Sequence, residues 1–255
     1  MAKKRGKDEE KLNYSAAVRE LKADGPERLY LLWGPEDYLR EQYLAQLKKI
    51  CLPEGEDDFS YKRMDGPGLD PIRLREALDA IPFMSERSFV ELRNVDINKL
   101  ANADECMKLL EDIPDYCTVA FVQSTQFEPD GRLKFVKALR GEAKELKFTQ
   151  QSQGMLTDWI VRRFAAAGKS IELDAAQRLI FISGDLMSRL IPEIDKIAAY
   201  AKGERVTVKD VDAVASHIPE AVIFEMMELI SQKKYNSAMS VLAELLSDKN
   251  NEPIA

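Results

Sequence analysis

DPIRLREALDAIPFMSERSFVELR, residues 70–93, reads as a helix, an apolar knuckle and a strand in one sweep. Asp70 suits a helix N-cap, and Pro71 suits the first helical position, where a missing N–H costs no intrahelical bond. Leu74, Ala77, Leu78 and Ile81 recur at helical spacing and predict one buried stripe. Pro82 should stop the helix. Phe83 and Met84 follow, then polar Ser85-Glu86-Arg87, then Ser88-Phe89-Val90-Glu91-Leu92 with the composition of a strand. A Pro-Phe-Met group thus stands at a helix end, just ahead of a core strand. Two readings stay open on residue type. Phe83 and Met84 close the core, as such side chains usually do, or they protrude as an apolar wedge for a partner.

The same alternation continues on both sides of this stretch. Tyr14 to Ala23 predicts a short helix, ended by Asp24-Gly25-Pro26. Leu29-Tyr30-Leu31-Leu32-Trp33 is a continuous apolar run, the pattern of a strand buried on both faces. Tyr38, Leu39, Tyr43, Leu44 and Leu47 mark an amphipathic helix, and Phe59 to Met64 a second strand. Beyond the knuckle come a helix over Ala101–Leu110, a strand at Thr118–Val122, a helix through Leu133, Phe135, Val136 and Leu139, and a short strand at Glu145–Phe148. Residues 14–150 therefore predict a doubly wound, mainly parallel α/β sheet, and residues 1–13 a disordered tail. From Gln151 only helical patterns occur, which predicts a small all-helical domain over 151–217. Thr207 and Asp210 there form a capping-box variant. Residues 218–255 carry two more amphipathic helices, through Ile223, Met226, Met227 and Ile230, then through Ala238, Val241, Leu242 and Leu245. Two such helices cannot bury their faces alone. The expectation is a third domain cut off after its start, or helices that pack elsewhere.

Composition narrows the function. The chain has 255 residues and a net charge of −7, with a mean hydropathy of −0.33. A dedicated duplex-DNA binder is usually basic, so nucleic-acid contact should be local or made in company. Arg132, Lys134 and Lys137 beside the Pro129-Asp130-Gly131 turn are one local candidate, with a solvated helix face as the plainer reading. Cys51, Cys106 and Cys117 are scattered without CxxC spacing, which argues against a disulfide framework or a zinc site. His217 is the only histidine, and a Ser-His or Cys-His pair would have to use it. No run of about 18 apolar residues occurs, and Met1–Lys11 lacks the apolar core of a signal peptide. These features point to a cytoplasmic protein with no metal and no cofactor.

The turn after the first strand reads GPEDYLR, residues 34–40. A phosphate loop belongs at this place. It needs glycines whose N–H groups wrap the phosphates, Lys on the β/γ-phosphates and Ser or Thr on magnesium. Here Gly34 is the one glycine, Pro35 removes a donor, and no Gly-Lys-Ser/Thr follows. Glu36 and Asp37 put negative charge at the positive end of the next helix, where a phosphate would sit. The strands at Phe89 and Thr118 also lack the paired acids that hold magnesium in such enzymes. Gly34, Pro35, Glu36 and Asp37 thus read as a degenerate phosphate loop not expected to bind nucleotide. An AAA+-type NTPase or ATP-dependent regulator is the alternative.

With these residues in place, the chain resembles the delta subunit family of the bacterial DNA polymerase III clamp loader. The likeness rests on Gly34-x-Glu36-x-x-Leu39 after its strand, Leu78-x-x-Ile81-Pro82-Phe83-Met84-x-x-Arg87, and Gly184-Asp185-Leu186 with Glu193-Ile194-x-Lys196. Thr207-Val-x-Asp210-Val211 and Ile223-Phe224-Glu225 with Ala238 continue it in order. The resemblance implies an AAA+-like domain without a working nucleotide site, then a helical lid, then the start of a helical collar. It implies a non-catalytic subunit of a DNA-directed DNA polymerase holoenzyme that binds the beta sliding clamp and opens it. The implied partners are that clamp, the delta-prime and gamma/tau subunits through the collar, and primer-template DNA indirectly. The family's apolar wedge falls on Pro82 and Phe83, with Met84 and Ile81 beside them. Family members often carry Leu where Pro82 stands.

Overall fold

The computed structural model describes residues 13–53, 55, 60–82 and 85–247, which fall into two compact units divided between Thr149 and Gln150. Residues 1–12 of the expected tail over 1–13, Phe59, the wedge residues Phe83 and Met84, and residues 248–255 lie outside the described residues.

The first unit alternates helix and strand: α1 (Tyr14–Asp24), β1 (Leu29–Trp33), α2 (Asp37–Cys51), β2 (Tyr61–Asp65), α3 (Pro71–Asp79), β3 (Ser88–Arg93), α4 (Ala103–Glu111), β4 (Cys117–Val122), α5 (Lys134–Glu142) and β5 (Lys144–Lys147). The strands form one sheet in the order β2-β3-β4-β1-β5, and every pairing is parallel. The unbroken apolar runs at β1 and β4 follow from burial on both faces. Side chains alternate across the sheet. Leu29, Leu31, Val90, Leu92, Val119 and Phe121 join Leu74, Leu78, Met107, Leu110 and Leu139 from α3, α4 and α5 in one core. On β1, Tyr30 alternates with these residues; its ring packs against Tyr43 of α2 with centroids 6.3 Å apart, and Tyr43 meets Phe148 at 5.9 Å. The three thiols are buried and free.

The chain jumps between β1 and β4 in this order, so the loop after β1 lies at the switch point, off the carboxyl ends of the strands. That is where a doubly wound domain keeps its ligand crevice.

The second unit comprises α6 (Gln153–Ala166), β6 (Ser170–Ile171), α7 (Leu173–Ser183), α8 (Met187–Tyr200), β7 (Arg205–Val206), α9 (Val208–Val214), α10 (Pro219–Ser231) and α11 (Tyr235–Ser247). The expectation of helices alone needs a correction: β6 and β7 pair in parallel. Two-residue strands are too short to show any period, and the pairing ties the start of α7 to the start of α9. The Thr207 cap forms, with Asp210 Oδ2 accepting from the Thr207 N–H at 2.9 Å and from its hydroxyl at 2.8 Å. Helix α10 packs on α7 through the rings of Phe181 and Phe224, 6.4 Å apart, and the Arg178–Glu225 ion pair at 2.8 Å. Helices α10 and α11 still leave Phe224, Met227, Ile230, Tyr235 and Met239 exposed.

Candidate functional site

The knuckle is built from α3 outward. Asp70 Oδ1 accepts the Ile72 N–H at 3.0 Å, and the Asp70 carbonyl accepts the Leu74 N–H at 2.9 Å. Pro71 occupies the first turn. Pro71, Leu74, Ala77 and Leu78 are buried and fix the helix on the sheet. The helix then ends at Asp79, and Ala80 is extended at φ −66° and ψ 108°. This corrects two expectations. The helix stops three residues ahead of Pro82, and Ile81 is not in the buried stripe but 78% exposed. The cause is local: a residue ahead of proline is driven from the helical region by the proline ring, so Ile81 cannot extend the turn that would bring it onto the core.

Pro82 is half-buried. After Met84 the chain is held again. Ser85 Oγ lies 2.7 Å from Ser60 Oγ, and the Ser88 N–H reaches the Tyr116 carbonyl at 2.8 Å as β3 enters the sheet. Both roots of the knuckle are therefore anchored, one by burial and one by the strand ladder.

The Gly34 loop is closed on itself. Gly34 has φ +117°, and a Cβ there would lie 2.4 Å from the Phe148 carbonyl oxygen. That close approach lets the Glu36 N–H donate to the same carbonyl at 3.1 Å. The Asp37 N–H goes to the Pro35 carbonyl at 3.1 Å, and the Tyr38 N–H to Asp37 Oδ1 at 2.9 Å. Arg40 is buried and returns Nη1 to the Gly34 carbonyl at 2.7 Å; burial pushes its pKa down. Gly34, Pro35, Glu36 and Asp37 thus present no free row of N–H groups, and Glu36 is buried. The missing glycines and the missing Gly-Lys-Ser/Thr were visible in the sequence, but the role of Phe148 depends on chain more than a hundred residues away.

The one acid on β3, Glu91, is also committed. Glu91 is fully buried and takes Lys48 Nζ at 2.7 Å, the Tyr61 hydroxyl at 2.8 Å and Arg93 Nε. Arg93 in turn grips Glu41 with two bonds of 2.8 and 2.6 Å. Burial alone would push the Glu91 pKa up; donation from Lys48, Arg93 and Tyr61 outweighs it and holds the carboxyl below its ordinary 4.5.

The basic turn is largely paired within the chain. Arg132 meets Asp130 at 2.7 Å and Lys134 meets Asp104 at 2.8 Å, while Lys137 is exposed. His217 Nε2 stands 3.8 Å from Glu225 Oε1. Among the described residues no group of acids, histidines and cysteines could hold a metal ion, and no helix is long and apolar enough to cross a membrane.

Residues 30–149 match the family model for the DNA polymerase III delta subunit. DNA polymerase III subunit delta of Bacillus subtilis is 25% identical over 237 residues, covering 89% of this chain and 67% of the relative. The probable DNA polymerase III subunit delta of Aquifex aeolicus is also 25% identical over 237 residues, covering 87% and 64%. The chain therefore spans about two thirds of the length of these relatives. Among solved structures, the Bacillus subtilis DNA clamp loader delta protein superposes with a TM-score of 0.59 at 22% identity, covering 94% of this chain and 73% of the other. The Thermotoga maritima RuvB Holliday junction branch migration motor gives 0.55 at 17% identity, covering 90% and 79%. These two likenesses carry the fold, an AAA+-like α/β sheet with helices after it. Over residues 30–149, the chain is thus similar to the DNA polymerase III delta-subunit family.

Proposed function

We propose that this chain is a non-catalytic clamp-loader subunit that binds the beta sliding clamp through Ile81, Pro82, Phe83 and Met84 and favours its open ring. The observation that carries the reading is Ile81, 78% exposed just past the end of a helix that buries Pro71, Leu74, Ala77 and Leu78. An aromatic from such a knuckle, filling an apolar pocket, supplies a few kcal/mol as interface hot spots do. Preferring the open clamp over the closed one shifts that equilibrium without covalent chemistry. The closed Gly34 loop and the committed Glu91 support the non-catalytic half of the reading, since neither leaves a place for phosphate or magnesium. Within the holoenzyme the partners are the clamp and the delta-prime and gamma/tau subunits, with primer-template DNA met indirectly and the whole in the cytoplasm. The domains in this reading are an AAA+-like domain at 14–150, a lid at 151–217 and the first part of a collar at 218–255.

Surface plasmon resonance against the cognate clamp tests it. The double variant Phe83→Ala/Met84→Ala, folded by circular dichroism, should bind at least tenfold more weakly than the parent chain. Equal binding by the two would move the clamp surface elsewhere, and no binding by either would remove the function.

A further inference from the structure

The knuckle is too small to hold a ring-shaped protein alone. A stable protein–protein interface buries about 800 Å² on each partner, and one large aromatic supplies roughly 150–250 Å² of that. Surface beside the knuckle has to share the contact. Among the described residues of the first unit, the only large apolar side chains left exposed are Ile72, at 68%, and Ile81, at 78%. Both belong to α3 or to its end. Single exposed apolar residues scattered over a surface are ordinary; these two are confined to one helix of a unit that is otherwise sealed.

The fold does not explain Ile72. A β-branched side chain adds nothing to an exposed helical turn, and the Asp70 cap uses only the Ile72 backbone N–H. Ile72, Arg75, Glu76 and Asp79 stand three or four residues apart and are all exposed, so they form one outward row. The row runs toward the knuckle over about 10 Å, seven steps along the helix from Ile72 to Asp79.

We infer that this row, anchored by Ile72, is a second contact on the sliding clamp, continuous with the knuckle; the inference rests on the clamp-binding reading above. The complementary surface is a shallow apolar depression for Ile72, rimmed by polar groups of both signs that meet Arg75, Glu76 and Asp79. The knuckle fills the deeper pocket, and the row sets the angle at which α3 lies on the ring.

Four chains measured against the clamp by surface plasmon resonance test this: the parent, Phe83→Ala, Ile72→Arg, and Leu173→Arg as a charge control at a 63% exposed site in the second unit. Thermal unfolding checks that each is folded. Ile72→Arg is expected to bind at least tenfold more weakly with an unchanged melting temperature, while Leu173→Arg binds like the parent. Parent-like binding by Ile72→Arg beside weakened binding by Phe83→Ala overturns the second contact and leaves the knuckle standing. Equal weakening by Ile72→Arg and Leu173→Arg also overturns it, because added charge alone then suffices. If Phe83→Ala and Ile72→Arg both bind like the parent, the clamp surface lies away from the knuckle, and this inference falls; if the parent itself does not bind, the clamp-binding reading falls and takes this inference with it.

Discussion

Two buried residues set much of the chemistry of the first unit. Gly34 is required by both its φ of +117° and the Phe148 carbonyl 2.4 Å from where a Cβ would stand. Gly25 also has a positive φ, +82°, but nothing within 4 Å. Gly34→Ala should therefore lose about 3 kcal/mol, strain plus overpacking, and Gly25→Ala about 1 kcal/mol, strain alone; chemical denaturation of the two variants side by side checks this. Glu91 acts through charge. Its folded pKa lies below the unfolded value, so its contribution is present above the ordinary carboxylate range and is lost as pH falls through and below it. Glu91→Gln should cost about 3 kcal/mol at neutral pH, because Lys48 is left beside a neutral group. It should also flatten the loss of stability below about pH 5. Urea melts from pH 7 down to the acid limit would show a parallel offset, and no flattening, if Glu91 played no electrostatic part.

At the scale of elements, what was legible in the sequence was what periodicity encodes. The helix at Pro71 carries its own cap and stripe, and the apolar runs at β1 and β4 announce strands buried on both faces. Ile81 was misread because its spacing suits the stripe, while the local veto of Pro82 acts on the backbone and leaves no trace in a count of apolar positions. The β6–β7 pair was invisible because two residues carry no period. Helix α10 looked unsupported, yet Arg178 binds both Asp212 and Glu225 at 2.8 Å and joins three elements. No pattern within one helix encodes such a bridge. Arg178→Ala should free α10 first: its amides are expected to exchange with deuterium about fivefold faster, a change of about 1 kcal/mol, with those in the middle of α7 unchanged. Equal acceleration in both helices would mean that Arg178 supports the unit as a whole.

For the whole molecule, alternation of strand and helix disclosed the fold class, and the lack of Gly-Lys-Ser/Thr after Gly34 was readable as missing residue types. The geometry that replaces those types was not readable, because Phe148 and Gly34 meet only once the sheet has formed. The candidate site was legible as a knuckle and no further; Ile72 gave no signal, since a single apolar residue at a helix start reads equally as core or surface. Burial pushes the Cys51 and Cys106 thiols up to about 11 and raises Cys117 as well. A thiol reagent at pH 8 should label none of the three in the native chain and all three in denaturant. The closed loop at the sheet switch point has a last consequence, in mass action. A ligand raises the melting temperature of a protein only by binding the folded form better than the unfolded, and here the N–H groups of Glu36, Asp37 and Tyr38 are already taken by the chain. The unfolding midpoint should thus be the same in buffer and in millimolar magnesium ATP, and a rise with the nucleotide would mean that the loop opens to hold it.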